Sequence, residues 1–382
     1  MFFVGFQSKS AVSSLLARAG IEVNGGHSWD IQVKSDGFYD EVARGGMMGL
    51  GDSYVHGDWE CKDLSSFFYR AFRAGLLEYL SSAWPVKLMK LKERLLNFQN
   101  GARAPKNACD HYGKGNALFE AMLGNRMIYT CAVWQDPVTL NDSETLDCVQ
   151  ERKLELVARK LALESGMHVL DLGGGWGGFA GYIAEKYGVH VTTVTPVGEQ
   201  VDYIQARYGH LPVTAVKADY RTMNRKFDRV AAVGLLEHVG PKNHRTFMDV
   251  VCRCLKDGGI ALAHAITRSD LTVPLIDPWT QERIFPGGYI PTLVQICRAA
   301  EGTFDIVDVH EIGRHYDKTL MHWHENFEDS WPKLKDTYGE EFHRLWRYYL
   351  LSCAGAFRAR KVLLHQVVLV KKGSELVYQP VR

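Results

Sequence analysis

From about residue 166 onward, short apolar runs of strand length alternate with longer stretches in which apolar residues recur at helical spacing. The strand-like runs are MHVLDL (167–172), HVTTVT (190–195), VTAVKAD (213–219), FDRVAAVG (227–234), IALAHAIT (260–267), FDIVDVHEIG (304–313) and LLHQVVLVKK (363–372). Helical patterns cover 178–187, 198–208, 243–256 and 292–300, with Gly258-Gly259 placed to end the third. Two further long helical patterns lie just before the last strand. This alternation predicts an α/β fold: a seven-stranded, mostly parallel sheet with helices on both faces and an insertion late in the sheet domain.

The first hundred residues read differently. Helical and short extended pieces mix, with turn clusters at NGG (24–26) and RGGMMGLG (44–51), and 64–80 has the spacing of a core helix. Residues 86–98 read as a basic amphipathic helix, with Leu88, Leu91, Leu95 and Phe98 on one side and Lys87, Lys90, Lys92 and Arg94 elsewhere. NGARAPKNA (100–108) has the composition of a linker. The expected organisation is a smaller mixed, helical N-terminal domain over 1–99, a linker over 100–108 and a catalytic domain over 109–382.

Composition narrows the picture without choosing a function. Of 382 residues, 46% are hydrophobic and 23% charged, as in ordinary globular proteins. A net charge of +1 leaves no global field for a nucleic acid partner. No apolar run approaches the ~18 residues needed to span a bilayer, and the start MFFVGFQSKS lacks a signal-peptide pattern. The eight cysteines show no paired zinc spacing; Cys252 and Cys254 form only C-x-C inside a helical pattern. Reduced thiols, a cytoplasmic setting and no structural metal are the expectations.

The chemistry is concentrated in VLDLGGGWGGFA (169–180), where a strand ending in Asp171 runs into five glycines around one Trp and then a helix. A strand–glycine turn–helix lets a ligand touch backbone. No Gly-Lys-Ser/Thr follows, so this is not a P-loop. A dinucleotide site usually has an acid closing the second strand. Here that strand reads VTTVTPVGEQ, with no acid before Glu199, whereas Asp219 closes the third strand and suits an adenine amino group. S-adenosylmethionine fits this pattern better than a nicotinamide dinucleotide.

Several segments in order carry a family resemblance: DHYGKGNALFEAML, YTCAVW, VLDLGGGWGG, VTPVGEQ, LLEHVGPKN, AHAIT, HYDKTLMHWHENF and YYLLSCAGAFRARKVLLHQVV. Together they resemble the cyclopropane-fatty-acid synthase family from about Cys109 to Val370, and GLGDSYVHGDWEC resembles the extra N-terminal domain of its phospholipid-acting members. The resemblance implies a class I methyltransferase-type sheet and methylene transfer from S-adenosylmethionine to the cis double bond of a phospholipid acyl chain. By match, Gly173 and Gly175 form the cofactor turn, Tyr129 and Thr130 contact the methionine part, and Thr195 and Gln200 contact ribose. Cys131, Glu237, His264, Ile266 and Tyr316 match positions that hold bicarbonate. Two positions depart from the family pattern: Gly113-Lys114 follows the first His-Tyr, and Gly174 stands where Cys is common, a change expected only to loosen the turn.

These residue types suit the implied reaction. An alkene attacking a sulfonium methyl leaves a carbocation, and a nearby base must take a proton from the added methyl for the ring to close. A small anion can serve if His264, Tyr316 and backbone N–H groups near Cys131 and Ile266 hold it and Glu237 accepts its O–H. Trp134, Tyr289, Tyr316 and Trp323 are candidate aromatic walls for the cation. Blander readings stand beside these: Glu237 as a helix-capping acid, His264 as a satisfied core histidine, and Tyr316 as packing. His315, His322 and His324 are not spaced as a zinc set.

A lipid substrate implies a peripheral enzyme at the inner membrane face, with the cations of 86–98, or Arg358, Arg360 and Lys361, near headgroups. A homodimer is in keeping with the family. Three alternatives stay open: a fatty-acyl methyltransferase leaving a methyl or methylene branch, a small-amine N-methyltransferase, and a non-catalytic lipid- or cofactor-binding protein.

Overall fold

Strand residues of one unit send alternate side chains to two separate cores, and this sets the position of everything functional. The computed structural model describes residues 2–76, 79, 99, 114–139, 143–269 and 278–382. The predicted basic helix 86–98, the linker 100–108 and Gly113 lie outside the described residues. The chain forms two compact units: Met1–Leu96 with Leu271–Pro286 and Tyr316–Val362, and Asn97–Asp270 with Gly287–His315 and Leu363–Arg382.

The second unit holds the seven-stranded sheet. Its strands are β3 (His168–Leu172), β4 (His190–Thr195), β5 (Val213–Lys217), β6 (Phe227–Val233), β7 (Leu255–Arg268), β8 (Phe304–Glu311) and β9 (Val362–Lys371), in the order β5-β4-β3-β6-β7-β9-β8. Strands β3 to β7 pair in parallel, and β8 pairs antiparallel with β9, as the mostly parallel expectation requires. Leu170, Leu172, Val230, Ala232, Ala261 and Ala263 face one core, closed by the helices His244–Cys254 and Leu293–Ala300. Val169, Ala231, Ile260 and Leu262 face the other, closed by Leu146–Lys160 and Gly178–Tyr187. The period of two thus gives a three-layer sandwich. Strand β3 lies between β4 and β6, so the chain winds outward in both directions from it and opens a crevice at the strands' C-terminal ends.

One expected boundary is corrected. Gly258-Gly259 does not cap the preceding helix, which ends at Cys254; Leu255 is already extended (φ −85°, ψ 134°) and begins β7. Leu255 is fully buried and pairs with Phe227, so the apolar core draws the chain straight from helix into sheet. The glycines sit where the β6–β7 register shifts, and a Cβ at Gly259 would press on the Asp228 carbonyl.

The first unit has a two-stranded antiparallel sheet, β1 (Ile31–Val33) with β2 (Trp59–Cys61), among helices that include Gly37–Gly45, Met47–Val55 and Leu64–Arg73. Asp63 caps the last of these by accepting from the Ser66 N–H at 2.9 Å. Residues 278–286 and 316–362 group with the N-terminal stretch, a division drawn differently from the expected domains 1–99 and 109–382. The reason is local packing within that unit. Arg344, on the helix Arg314–Arg358, donates to the Tyr54 carbonyl at 2.7 Å and to that of Trp59 at 3.1 Å, and pairs with Glu60. The Tyr348 ring lies 5.0 Å from Phe68 and 4.4 Å from Trp279, and Gly355 leaves no room for a Cβ against the backbone of Ser65 and Tyr69. The two predicted long helices are both present within Arg314–Arg358, separated at Gly339, whose φ of 75° and ψ of 164° are not helical.

Candidate active site

At the C-terminal edge of β3–β6 the strand ends frame a cleft lined among others by Gly173, Gly175, Thr195, Gln200, Asp219, Gly234 and His238. Gly173 and Gly175 have φ of 79° and 53°, a conformation that costs glycine nothing and keeps side chains off the ligand path. Gly174 is not simply looser than a Cys: a Cβ there would collide with the Thr193 hydroxyl, so in this chain the turn is packed tight against β4.

The polar side chains of the cleft are largely arranged before any ligand arrives. Thr195 donates to Gln200 Oε1 at 2.6 Å and accepts from the Val197 N–H at 3.2 Å, leaving Gln200 Nε2 buried without a partner, a donor ready for a ligand hydroxyl. Asp219 reaches the cleft, but its carboxylate accepts from the Arg221 N–H and guanidinium, both at 2.9 Å. Asp171 lies behind the glycine turn, fully buried, and accepts from Thr193 at 2.9 Å. Burial raises its pKa to about 6. Tyr129 packs edge-on to Phe119, which also meets Trp176 of the turn, and the Thr130 methyl presses on the position of Gly234.

The neighbouring end of β6 and β7 is different. Glu237 sits in a 3-10 turn, Leu236–His238, and caps no helix; its Oε1 accepts the Ile266 N–H at 2.6 Å. The Ile266 N–H, expected to face an anion, is therefore engaged by Glu237. Glu237 Oε2 is buried without a partner, and desolvation raises the carboxyl pKa to about 7. His264 pairs with Val233 across the strands, and its Nδ1 meets Gln366 Nε2 at 3.3 Å. Its Nε2 is buried without a partner, and burial, helped by the charges of Lys153 and Lys160, holds it neutral well below the ordinary histidine pKa. His264 is thus a core histidine with one ring nitrogen satisfied and the other not. Tyr289 is tied to this corner through its N–H, which donates to the Glu237 carbonyl at 2.8 Å.

Cys131 is buried in the same unit. Tyr316 belongs to the first unit, where its ring packs against Phe357 at 4.4 Å and Trp323 at 6.0 Å. Trp134 is buried, with its N–H donating to His315 Nδ1 at 3.0 Å. Among the described residues, the trio with metal-ligand spacing is Glu41, His56 and Asp58 of the first unit, where both Glu41 and His56 are exposed.

Sequence reading missed the helix Leu146–Lys160 as a support for the site. Gln150 donates to the Thr130 carbonyl at 2.9 Å, Arg152 to the Val133 carbonyl at 3.0 Å, and Lys153 to the Thr130 hydroxyl at 3.0 Å. A signal was present: Lys153 and Lys160 fall on the same helical stripe as Val149 and Val157, yet each is essentially fully buried.

Comparisons with known proteins show the family. Residues 99–367 match the family model described as mycolic acid cyclopropane synthetase. A cyclopropane-fatty-acyl-phospholipid synthase of Escherichia coli K12 is 45% identical over 358 residues, covering 93% of this chain and 91% of that protein. Among solved structures, the mycolic acid cyclopropane synthase CmaA1 complexed with SAH and CTAB is 26% identical with a TM-score of 0.64, covering 70% of this chain and 98% of that one. Coclaurine N-methyltransferase shares the fold, at 20% identity and a TM-score of 0.69 over 84% of this chain and 99% of that one. A family model matched over residues 99–367, and a synthase 45% identical over 93% of the chain, make this an enzyme of the cyclopropane-fatty-acid synthase family.

Proposed function

We propose that the enzyme transfers a methylene group from S-adenosylmethionine to the cis double bond of an unsaturated phospholipid acyl chain, forming a cyclopropane ring. The observation that carries the reading is two buried, partnerless atoms: Glu237 Oε2, in the turn after β6, and His264 Nε2, on β7 opposite the last residue of β6. Such atoms cost stability unless a bound group completes them.

The cleft suits the nucleoside part of S-adenosylmethionine: Gln200 Nε2 offers a donor to ribose, and the open backbone of Gly173 and Gly175 permits close approach. The alkene attacks the sulfonium methyl; a C–C bond forms, the C–S bond breaks, and S-adenosylhomocysteine keeps the electron pair. The chain cation then loses a proton from the added methyl, and those C–H electrons close the ring.

The Glu–His corner fits a small oxyacid anion. With Gln366 donating to His264 Nδ1, Nε2 carries the hydrogen and offers a donor, while Glu237 Oε2 offers an acceptor. Bicarbonate held there would supply the base for the methyl proton. Glu237 would orient it by accepting its O–H, and the raised carboxyl pKa lets the two acids share a proton rather than oppose as full charges. Tyr316 and the backbone at Cys131 are assigned to the same anion on family resemblance. A bilayer substrate makes the enzyme peripheral, since no described helix is long and apolar enough to cross a membrane.

The test is mass spectrometry and proton NMR of phospholipid vesicles incubated with the enzyme, S-adenosylmethionine and bicarbonate. A gain of one methylene with loss of the olefinic signal and a new cyclopropane signal is expected. The same gain with the olefinic signal retained would assign a branching methyltransferase. No lipid product at all would overturn the lipid reading in favour of a soluble amine.

A further inference from the structure

Lys153 is a buried lysine beneath the cleft that neither the cofactor turn nor the Glu–His corner accounts for. It lies mid-helix in Leu146–Lys160 with 1% of its surface exposed. A lysine is seldom placed there for stability alone, because its charge is stripped of water. Its ammonium donates to the Thr130 hydroxyl at 3.0 Å, and one helical turn earlier Gln150 holds the Thr130 carbonyl at 2.9 Å. The Thr130 methyl in turn rests against Gly234, which lines the cleft. The chain of contact therefore runs from Lys153 through Thr130 to the ligand wall.

We propose that Lys153 is a positioning residue for methyl transfer, holding the Tyr129–Cys131 segment, through the Thr130 hydroxyl, in the geometry that receives the methionine end of S-adenosylmethionine. This inference rests on the reading that the cleft takes that cofactor.

The charged surroundings make the role pH-dependent. Desolvation lowers the Lys153 pKa to about 7, opposed by the Cys131 thiol on the supported segment and Asp171 on β3. Asp171 answers from the other side: burial raises it and Lys153 lowers it. The Lys153 charge also bears on His264 on β7, keeping that ring neutral together with Lys160 on its own helix. Below about pH 7 the bond to Thr130 is charge-assisted; above it the amine is neutral and the bond weakens.

The experiment measures S-adenosylhomocysteine binding by calorimetry from pH 5.5 to 8.5, for wild type, Lys153→Met, Thr130→Val and the double variant, with turnover in parallel. Wild type should bind about 10-fold more weakly as pH rises through 7. Lys153→Met, which keeps the length and removes the buried charge, should bind as weakly at every pH, with a flat profile. Thr130→Val should flatten the profile as well, and the double variant should be no worse than either single. A step near pH 7 that persists in Lys153→Met, or additive losses in the double variant, would overturn the role of Lys153 while leaving the cofactor reading standing. Failure of wild type to bind S-adenosylhomocysteine at any pH would overturn both. Should Lys153→Met not fold, the profile of Thr130→Val decides alone.

Discussion

The glycine-turn cleft at the ends of β3–β6 and the Glu237 and His264 side chains at β6–β7 are built on opposite principles. In the cleft, polar side chains mostly answer one another: Thr195 with Gln200, Asp219 with Arg221, Asp171 with Thr193. In the corner, Glu237 and His264 each spend one atom on the protein and keep the other buried and unanswered. The first arrangement is preorganised for recognition and is cheap to maintain. The second leaves a buried demand unmet within the fold, and perturbed acids and bases of this kind are candidates for sites of chemistry.

The contrast can be broken most severely at Glu237. Glu237→Gln keeps the acceptor for the Ile266 N–H but loses the carboxylate, so turnover should fall by about 10²-fold or more while S-adenosylhomocysteine affinity, read by calorimetry, stays within about twofold. Near-normal turnover would remove Glu237 from the mechanism. The same variant reports the stored demand. The folded-state pKa of about 7 exceeds the ordinary 4.5, so the folded protein takes up this proton first as pH falls. The carboxylate thus costs stability in full above pH 7, and the cost is gone below pH 4.5. Glu237→Gln should therefore be more stable than wild type at pH 8 by about 3 kcal/mol in denaturant melts, a gain that vanishes near pH 4.

The cleft should respond the other way round. Gly174→Ala drives a Cβ into the Thr193 hydroxyl, which should cost about 1–3 kcal/mol of stability and weaken S-adenosylhomocysteine binding at least about 10-fold. Unchanged affinity would mean the turn yields and is not preorganised. Gln200→Ala removes the donor left over from the Thr195 pair and should weaken the same binding by about fivefold, with turnover at saturating cofactor nearly unchanged.

Much of this was legible in the residues. Each of the seven apolar runs from 167 onward became a strand; the inner strands are largely buried on both faces and leave a near-continuous apolar signature, while β5 and β8 at the sheet edges are only partly buried. The glycine turn was equally plain, and Gly173, Gly175, Thr195, Gln200 and Asp219 all line the cleft. What escaped depends on contacts between distant segments. Gly258-Gly259 has the local look of a helix stop, but the burial of Leu255 against Phe227 decides where the helix ends. Gly174 reads as slack until Thr193 of the next strand is in place. Lys153, in ERKLELVARK, looks like a solvated cation taken alone; its place on the Val149–Val157 stripe points to burial, but what it meets there, Thr130, comes from a distant segment.

The first unit is stitched from three stretches of chain, and its aromatic centre joins Phe68 to Tyr348. This has a consequence for biosynthesis. Tyr54 and Phe68 leave the ribosome long before the helical segment whose Tyr348 packs on their rings, which follows roughly 280 residues later. At about 5–20 residues per second that interval is roughly 15–55 s. Throughout it the nascent chain carries uncovered aromatic surface while the sheet unit is being made. The N-terminal stretch is therefore a natural client for chaperones that shield apolar segments during translation, and expression of the enzyme should be most sensitive to them at that stage.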